Sequence, residues 1–308
     1  MNTNQKKVVL VFGGSGLLGV HCEYILKHNY EVIFTYNSNP ILINNSVAFN
    51  ALEKTVEIDR MLGKYRPDII INALALVTVD GCESNPDLAK RLNVDFVKDL
   101  VISMKKNSLN DTHLIQISTD SVYGQQKSSE IRPWVETDPL KPLSVYARTK
   151  LKGEIEANRH SGSVSILRTA FYGINPYARK GLLWWIIGNA RNNKQIDGWE
   201  NIYFSPISAT RLVKIIQMMI EKSVSGIYNI ASVDSCNKFD FVESVCKNIG
   251  HPIKINRVSS NFIGTPMIRP EYSVIDTQKL STIIPWELYW RNDLNAYLRD
   301  SLPYPSSR

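Results

Sequence analysis

Cysteine is scarce, with four residues in a chain of 308: Cys22, Cys82, Cys236 and Cys246. No two are spaced Cys-x-x-Cys and none lies in a zinc-knuckle pattern, which excludes a disulfide framework and a structural zinc site of that kind. Reduced, buried thiols are expected. No apolar run approaches the roughly 20 residues that cross a bilayer. Neither an internal repeat nor a low-complexity linker is found. Lys6-Lys7 before Val8–Phe12 has the beginning of a signal peptide. That run breaks at Gly13-Gly14 and no small-residue cleavage site follows, so the chain is expected in the cytoplasm.

What is present is an ordinary globular composition, 44% hydrophobic and 21% charged. The net charge is +7, and it is uneven. Residues 1–168 carry 20 basic and 18 acidic groups, whereas residues 169–308 carry 16 and 11. An excess of this size does not by itself imply nucleic acid or membrane.

The first half alternates strand and helix. Residues 7–12 and 68–72 are continuous β-branched runs, as strands buried on both faces should be. Further strands are predicted at 31–35, 47–49, 113–118 and 164–169. Helices are predicted over 16–29, 52–65, 82–106 and 144–160. This order implies right-handed βαβ crossovers and a parallel sheet. The fold class is therefore α/β, a Rossmann-type doubly wound sheet. After about residue 170 the pattern loosens into helices near 181–193, 208–222, 237–249 and 291–301, with short strands at 226–230 and 253–256.

Gly13-x-x-Gly16-x-x-Gly19 follows the first strand and opens the first helix. The first glycine permits a tight turn, the second lets backbone approach a pyrophosphate, and the third lets the helix pack closely. The helix N-terminus, with Leu17 and Leu18, then offers N–H groups to phosphate. The second strand runs into Thr35-Tyr36-Asn37-Ser38 without the carboxylate that would bind adenosine ribose hydroxyls and repel a 2′-phosphate. Tyr36, Asn37 and Ser38 therefore point to NADPH, with NADH as the alternative.

Tyr146-x-x-x-Lys150 puts a phenol and an ammonium on one face of a predicted helix. The ammonium favours the phenolate and brings the phenol toward working pH, which suits a proton donor to a carbonyl under reduction. Ser118-Thr119-Asp120 closes the preceding strand, at the end of a parallel sheet where ligands bind. A hydroxyl there can hold a substrate oxygen.

This ordered set resembles the extended short-chain dehydrogenase/reductase superfamily. Val79-Asp80-Gly81-Cys82-Glu83, Ser118-Thr119-Asp120-Ser121-Val122-Tyr123-Gly124, the Tyr146–Glu154 segment, Leu167-Arg168-Thr169, Ser205-Pro206 and Arg269-Pro270-x-x-Ser273 are similar to motifs of the dTDP-4-dehydrorhamnose reductase family. The resemblance implies a dinucleotide-binding domain over 1–169, joined by returning segments near 205–232, and a smaller, mainly substrate-binding part over 170–308. It implies Tyr146 as general acid, with Lys150 as its partner and ribose ligand. Thr119 would orient the keto oxygen, with Ser118 as the second choice. Gly13, Gly16, Leu17, Leu18 and Gly19 would hold the pyrophosphate, and Ala73 and Ala75 would border the cofactor. The implied substrate is a nucleotide sugar held by Thr119, Asp120 and Arg269, with no nucleic acid or membrane partner. A monomer or a homodimer is expected.

There are departures. Some family members carry a Glu for a magnesium-linked dimer where this chain has His21, so no such metal is expected. The family aspartate near adenine corresponds to Asn50. Between Glu243 and Glu271 there is no acid, while Lys247, Lys254, Arg257 and Arg269 fall in that window. Arg269 is the choice for a diphosphate clamp, and Lys247 and Lys254 read as a solvated face. Trp184, Trp185 and Trp199 are candidates for stacking a base, although adjacent Trp residues on a helix point apart and one should be core. Two other readings share these motifs: a non-catalytic subunit like the regulatory partner of methionine adenosyltransferase, and an epimerase or dehydratase. Ser121, where a dehydratase would carry Glu, speaks against the last.

Overall fold

The computed structural model describes residues 6–37, 45–53, 56–126, 129, 131–259, 269–285 and 287–301. Chain contacts divide into two compact units. The first comprises Met1–Thr119, Ser144–Arg168 and Val213–Ile227; the second comprises Asp120–Leu143, Thr169–Leu212 and Tyr228–Arg308. The division differs from a single cut near 169 chiefly in residues 120–143, which leave the sheet after its fifth strand and group with the second unit.

In the first unit the elements run β1 (Val8–Phe12), α1 (Leu17–Leu26), β2 (Glu31–Tyr36), β3 (Ser46–Ala48), α2 (Val56–Tyr65) and β4 (Ile69–Asn72). They continue as α3 (Val79–Ser84), α4 (Pro86–Lys90), a π-helical turn (Arg91–Asp95), α5 (Phe96–Lys106), β5 (His113–Ile117), α6 (Val145–Ala157) and β6 (Val164–Thr169). Strands β1 to β6 pair in parallel. With the later strand β11 (Gly226–Ile230) at one edge, the sheet order is β11-β6-β5-β4-β1-β2-β3. The order reverses between β1 and β4, the place where an open α/β sheet binds its ligand beyond the strand ends. Leu10, Phe12, Ile70 and Leu114 from the strands pack with Leu62 of α2 and Phe96, Leu100 and Met104 of α5.

The helix expected over 82–106 is a correction. It begins at Val79, breaks at Asn85 and passes through the π turn. Pro86 has no N–H to continue a ladder, so a new helix starts there. Asn85 caps that helix by accepting from the Leu88 N–H at 3.0 Å.

The second unit holds β7 (Phe171–Tyr172), α7 (Leu182–Arg191), β8 (Ile196–Trp199), β9 (Tyr203–Phe204), β10 (Ile207–Ser208) and the start of α8 (Ala209–Glu221). Beyond β11 come β12 (Cys236–Asn237), α9 (Lys238–Asn248), β13 (Ile255–Val258), β14 (Tyr272–Ser273), α10 (Gln278–Ser281) and α11 (Trp290–Ser301). Its strands form small sheets, β10-β7, β12-β9-β14 and β13-β8. Tyr172, Leu183, Phe204, Phe241, Trp290 and Leu294 contribute to one core. Asp293 is buried in it, accepting from the Tyr172 hydroxyl at 2.9 Å and from the Ser208 N–H and hydroxyl at 2.6 and 2.9 Å. Among the described residues, no helix is long and apolar enough to cross a membrane.

Candidate active site

The glycine loop sits at the reversal point of the sheet. Gly13 has φ +78°, a left-handed conformation that penalises any side chain, and a Cβ there would lie 2.9 Å from the Ala73–Leu74 backbone. That contact places the loop beside Ala73 at the end of β4. The Gly13 N–H donates to the Thr35 hydroxyl at 3.0 Å, and the Ser15 N–H donates to the Thr35 carbonyl at 3.3 Å. Gly19 presses against the loop itself, since a Cβ would meet the Gly14 backbone at 2.3–2.5 Å. The third glycine thus lets the helix approach the loop rather than the sheet. Gly14, to which the motif spacing assigns no role, is the one against β2: a Cβ there would be 2.7 Å from that of Phe34.

Gly16 is the N-cap of α1 and no side chain caps that end. The first-turn N–H groups of a helix carry partial positive charge and lack intrahelical acceptors. Gly16 is exposed, Leu17 is half-buried and Leu18 is buried, so the loop and the start of α1 fit a dinucleotide diphosphate. Of the residues expected at the adenosine end, Tyr36 is half-buried and Asn37 exposed, while Ser38 lies outside the described residues. Asn50 is engaged locally, accepting from the Leu52 N–H at 3.0 Å and donating to Glu53 at 3.1 Å. His21 Nδ1 lies 2.8 Å from the Leu17 carbonyl, and burial lowers its pKa. Among the described residues, no cluster of three or more His, Cys, Asp or Glu could hold a metal.

The candidate reacting groups Tyr146 and Lys150 are set by α6. Ser144 caps the helix by accepting from the Ala147 N–H at 3.1 Å, and Glu83 of α3 accepts from the Val145 N–H at 2.6 Å. Tyr146 follows in the first turn, half-buried. Lys150, one turn on, is 5% exposed and donates to the Ile117 carbonyl at 2.6 Å. Two residues after Ile117 stands Thr119, 5% exposed. The structure therefore brings Lys150 to the strand end that carries Thr119. Burial pulls the Lys150 ammonium down to about 8, while nearby Glu154 opposes the shift.

Ser118 has a different place. Its hydroxyl donates to Glu154 of α6, whose carboxylate also accepts from Arg168 Nε at 3.1 Å and Nη2 at 2.8 Å. Glu154 and Arg168 are 3% and 2% exposed. Removing one partner of such a buried pair costs about 3–5 kcal/mol. Ser118 is thus tied into a buried ion pair.

Asn93, in the π turn, was not indicated by any motif. It accepts from the Leu76 N–H at 2.8 Å and donates to the Leu76 carbonyl at 3.2 Å and to Thr149 at 3.0 Å. It pins the Ala73–Leu76 loop to α6. Asn72 supports the same loop, accepting from the Leu74 N–H at 3.2 Å.

In the second unit, Asp120 is buried and Arg269 half-buried. The structure adds Lys238, the first residue of α9, whose Nζ lies 3.2 Å from the centre of the Phe204 ring. Burial lowers the Lys238 ammonium to about 8; Asp120 opposes that shift and Arg269 adds to it. These three charges are neighbours. The other cations of the acid-free window are used elsewhere or exposed: Lys247 pairs with Glu243 at 2.9 Å, Arg257 stacks on Phe239 at 4.0 Å, and Lys254 is exposed. Trp184 packs on the core and donates to the Asn175 carbonyl at 3.0 Å, Trp185 is 49% exposed, and Trp199 is half-buried in β8.

Residues 6–302 match the family described as RmlD substrate binding domain. The dTDP-4-dehydrorhamnose reductase of Escherichia coli K12 is 29% identical over 306 residues, covering 93% of this chain and 97% of that protein. The spore coat polysaccharide biosynthesis protein SpsK of Bacillus subtilis is 25% identical over 299 residues, covering 95% and 97%. In fold, the chain is similar to a crystal structure of dTDP-4-dehydrorhamnose reductase from Bacillus anthracis in complex with NADP. The TM-score is 0.83 at 21% identity, covering 96% of this chain and all of that one (100%).

Proposed function

The chain belongs to the RmlD substrate binding domain family, and from that premise we propose that it is an NADPH-dependent reductase of a 4-keto-6-deoxy nucleotide sugar. The observation that supports this best is the grip of α6 on β5: Lys150 reaches the Ile117 carbonyl at 2.6 Å, one helical turn from Tyr146 and two residues before Thr119. The Gly13–Gly19 loop and the start of α1 would hold the cofactor diphosphate, Ala73 and Ala75 would border the cofactor, and Lys150 would bind the ribose. When bound, the nicotinamide supplies a hydride to the keto carbon. Thr119 donates a hydrogen bond to the keto oxygen and fixes its direction. Tyr146 gives that oxygen its proton, and the Lys150 charge stabilises the phenolate left behind.

NADPH is preferred over NADH in this reading because Tyr36 and Asn37 present neutral donors and no carboxylate. Asp120 binds the sugar, while Arg269 and Lys238 bind the diphosphate. A charge-assisted hydrogen bond contributes about 1.5–3 kcal/mol. Lys238→Met should therefore raise KM for the sugar nucleotide at least tenfold at pH 7 and leave kcat within about threefold. With its ammonium near 8, Lys238 is charged below that pH, so wild-type KM should climb as pH rises through it. An unchanged KM in the variant would remove Lys238 from the site.

The function itself is tested by mixing the protein with NADPH, or with NADH in parallel, and a dTDP-4-keto-6-deoxyhexose while following nicotinamide absorbance. Consumption that is faster with NADPH is expected. No consumption with any nucleotide keto-sugar overturns the reading. Tightly bound stoichiometric cofactor with sugar interconversion would make the protein an epimerase, and inactive protein that co-purifies with a partner enzyme would make it a regulatory subunit.

A further inference from the structure

Positions 146, 150 and 154 are spaced by four and form one stripe along α6. Tyr146 and Lys150 have roles in the reaction proposed above. Glu154 has none, although it is a buried charge with three donors on it: the Ser118 hydroxyl, Arg168 Nε and Arg168 Nη2. The Arg168 guanidinium alone balances its charge. Here the same carboxylate also takes the hydroxyl of the residue next to Thr119, from a place one turn beyond Lys150.

The stripe thus holds the end of β5 at two consecutive residues. Lys150 takes the Ile117 carbonyl and Glu154 takes the Ser118 hydroxyl. The Ser118 N–H is bonded as well, donating to the Leu167 carbonyl at 2.7 Å, so the strand end is fixed from both sides up to Thr119. We propose that Glu154 is a positioning residue of the reductase: it anchors the strand end that carries Thr119 and sets a carboxylate one helical turn from the Lys150 ammonium. The second part of this role rests on the function assigned above to Lys150.

The groups facing Lys150 can be named by element. On α6 itself they are Tyr146 and Glu154. From α3 comes Cys82, a buried thiol whose pKa is raised by burial and whose charge is coupled to Lys150; Glu83 of the same helix is bonded to the Val145 N–H. From β5 the group is the neutral Ile117 carbonyl, and the π turn contributes neutral Asn93, bonded to Thr149. Of the charges of α4, the π turn and α5, Lys90 pairs with Asp95 and Arg91 with Asp99, each at 2.8 Å, and Lys106 pairs with Asp59 of α2. Arg168 of β6 acts through Glu154. The carboxylate is therefore the neighbour that favours the ammonium most, against burial that would strip its proton. Without the Glu154 charge, Lys150 deprotonates at lower pH.

The test compares Glu154→Gln with wild type from pH 5.5 to 10. The readouts are kcat at saturating keto-sugar and, separately, the Kd of NADPH by fluorescence. In the variant the alkaline limb of both profiles should move down by about one pH unit. Activity relative to wild type should fall about tenfold at pH 8.5 and less than threefold at pH 6. Because the variant leaves Arg168 without its carboxylate, Glu154→Gln with Arg168→Met provides a second protein with no stranded guanidinium; its limb should also lie below that of wild type. Equal loss of activity at every pH, with both limbs unmoved in both variants, overturns the proposal. Should wild type reduce no keto-sugar, the function reading fails, and the NADPH binding profile still decides whether Glu154 sets the Lys150 charge.

Discussion

Tyr146→Phe should lower kcat about a thousandfold, within the 10²–10⁴ range that general acids contribute, while the Kd of NADPH stays within about threefold. The substitution removes one oxygen and keeps the ring. The helix should not notice: Ser144 and Glu83 still bond its first turn, and the Thr149 hydroxyl still donates to the carbonyl of residue 146 at 2.9 Å. In the proposed mechanism Thr119 remains to polarise the keto oxygen, so some reduction by water-delivered protons should persist. Stopped-flow absorbance of the nicotinamide band, under saturating substrate, separates the chemical step from binding. A variant with more than a tenth of wild-type kcat would place the acid elsewhere.

Gly19→Ala should be nearly as damaging by another route. The added methyl would stand 2.3 Å from the Gly14 oxygen, 2.4 Å from its Cα and 2.5 Å from its carbonyl carbon. All three atoms are backbone, so no side chain can rotate away. Either α1 withdraws or the loop shifts, and overpacking of this kind typically costs about 1–3 kcal/mol and occasionally more. A loss near 3 kcal/mol is expected here, with the melting temperature down by roughly 6–10 °C. Since the loop that moves is the one proposed to hold the cofactor diphosphate, NADPH affinity should fall more than tenfold. Gly188→Ala is the matched control: it lies in α7 with nothing within 4 Å of a new Cβ. There the better helix propensity of Ala should stabilise by about 0.5–1 kcal/mol. Equal melting temperatures for Gly19→Ala and wild type would show that the loop yields at no cost.

The first unit was legible because a parallel sheet writes itself plainly. Strands β1 and β4 are buried on both faces and read as unbroken apolar runs, and the helices between them keep their spacing. The shared face of Tyr146 and Lys150 was legible for a related reason, since a period of four on one helix fixes which side chains lie together. The break at Asn85-Pro86 was passed over because the apolar spacing continues through it, while the π turn is a matter of backbone register that no side chain announces. Strands of two residues such as β7, β9 and β12 are too short to show a period of two. Lys238 was hidden by its sequence neighbours: Asp234 and Asp240 balance it in any charge count, and only folding sets it beside Asp120 and Arg269. Ser118 shows the converse. The motif pointed to it, but a buried Glu154 thirty-six residues away claims its hydroxyl.

The bond from the Gly13 N–H to the Thr35 hydroxyl makes the glycine loop and the last core residue of β2 a single piece. Cofactor engineering in this scaffold is therefore constrained at a definite position. A carboxylate installed at residue 35 to recruit NADH would bury a charge at a position 1% exposed and displace the hydroxyl that accepts from the loop. Redesign should begin at Tyr36 and Asn37 and leave Thr35 alone, and libraries selected for a switched cofactor should return with threonine, or a serine able to accept the same bond, at that position.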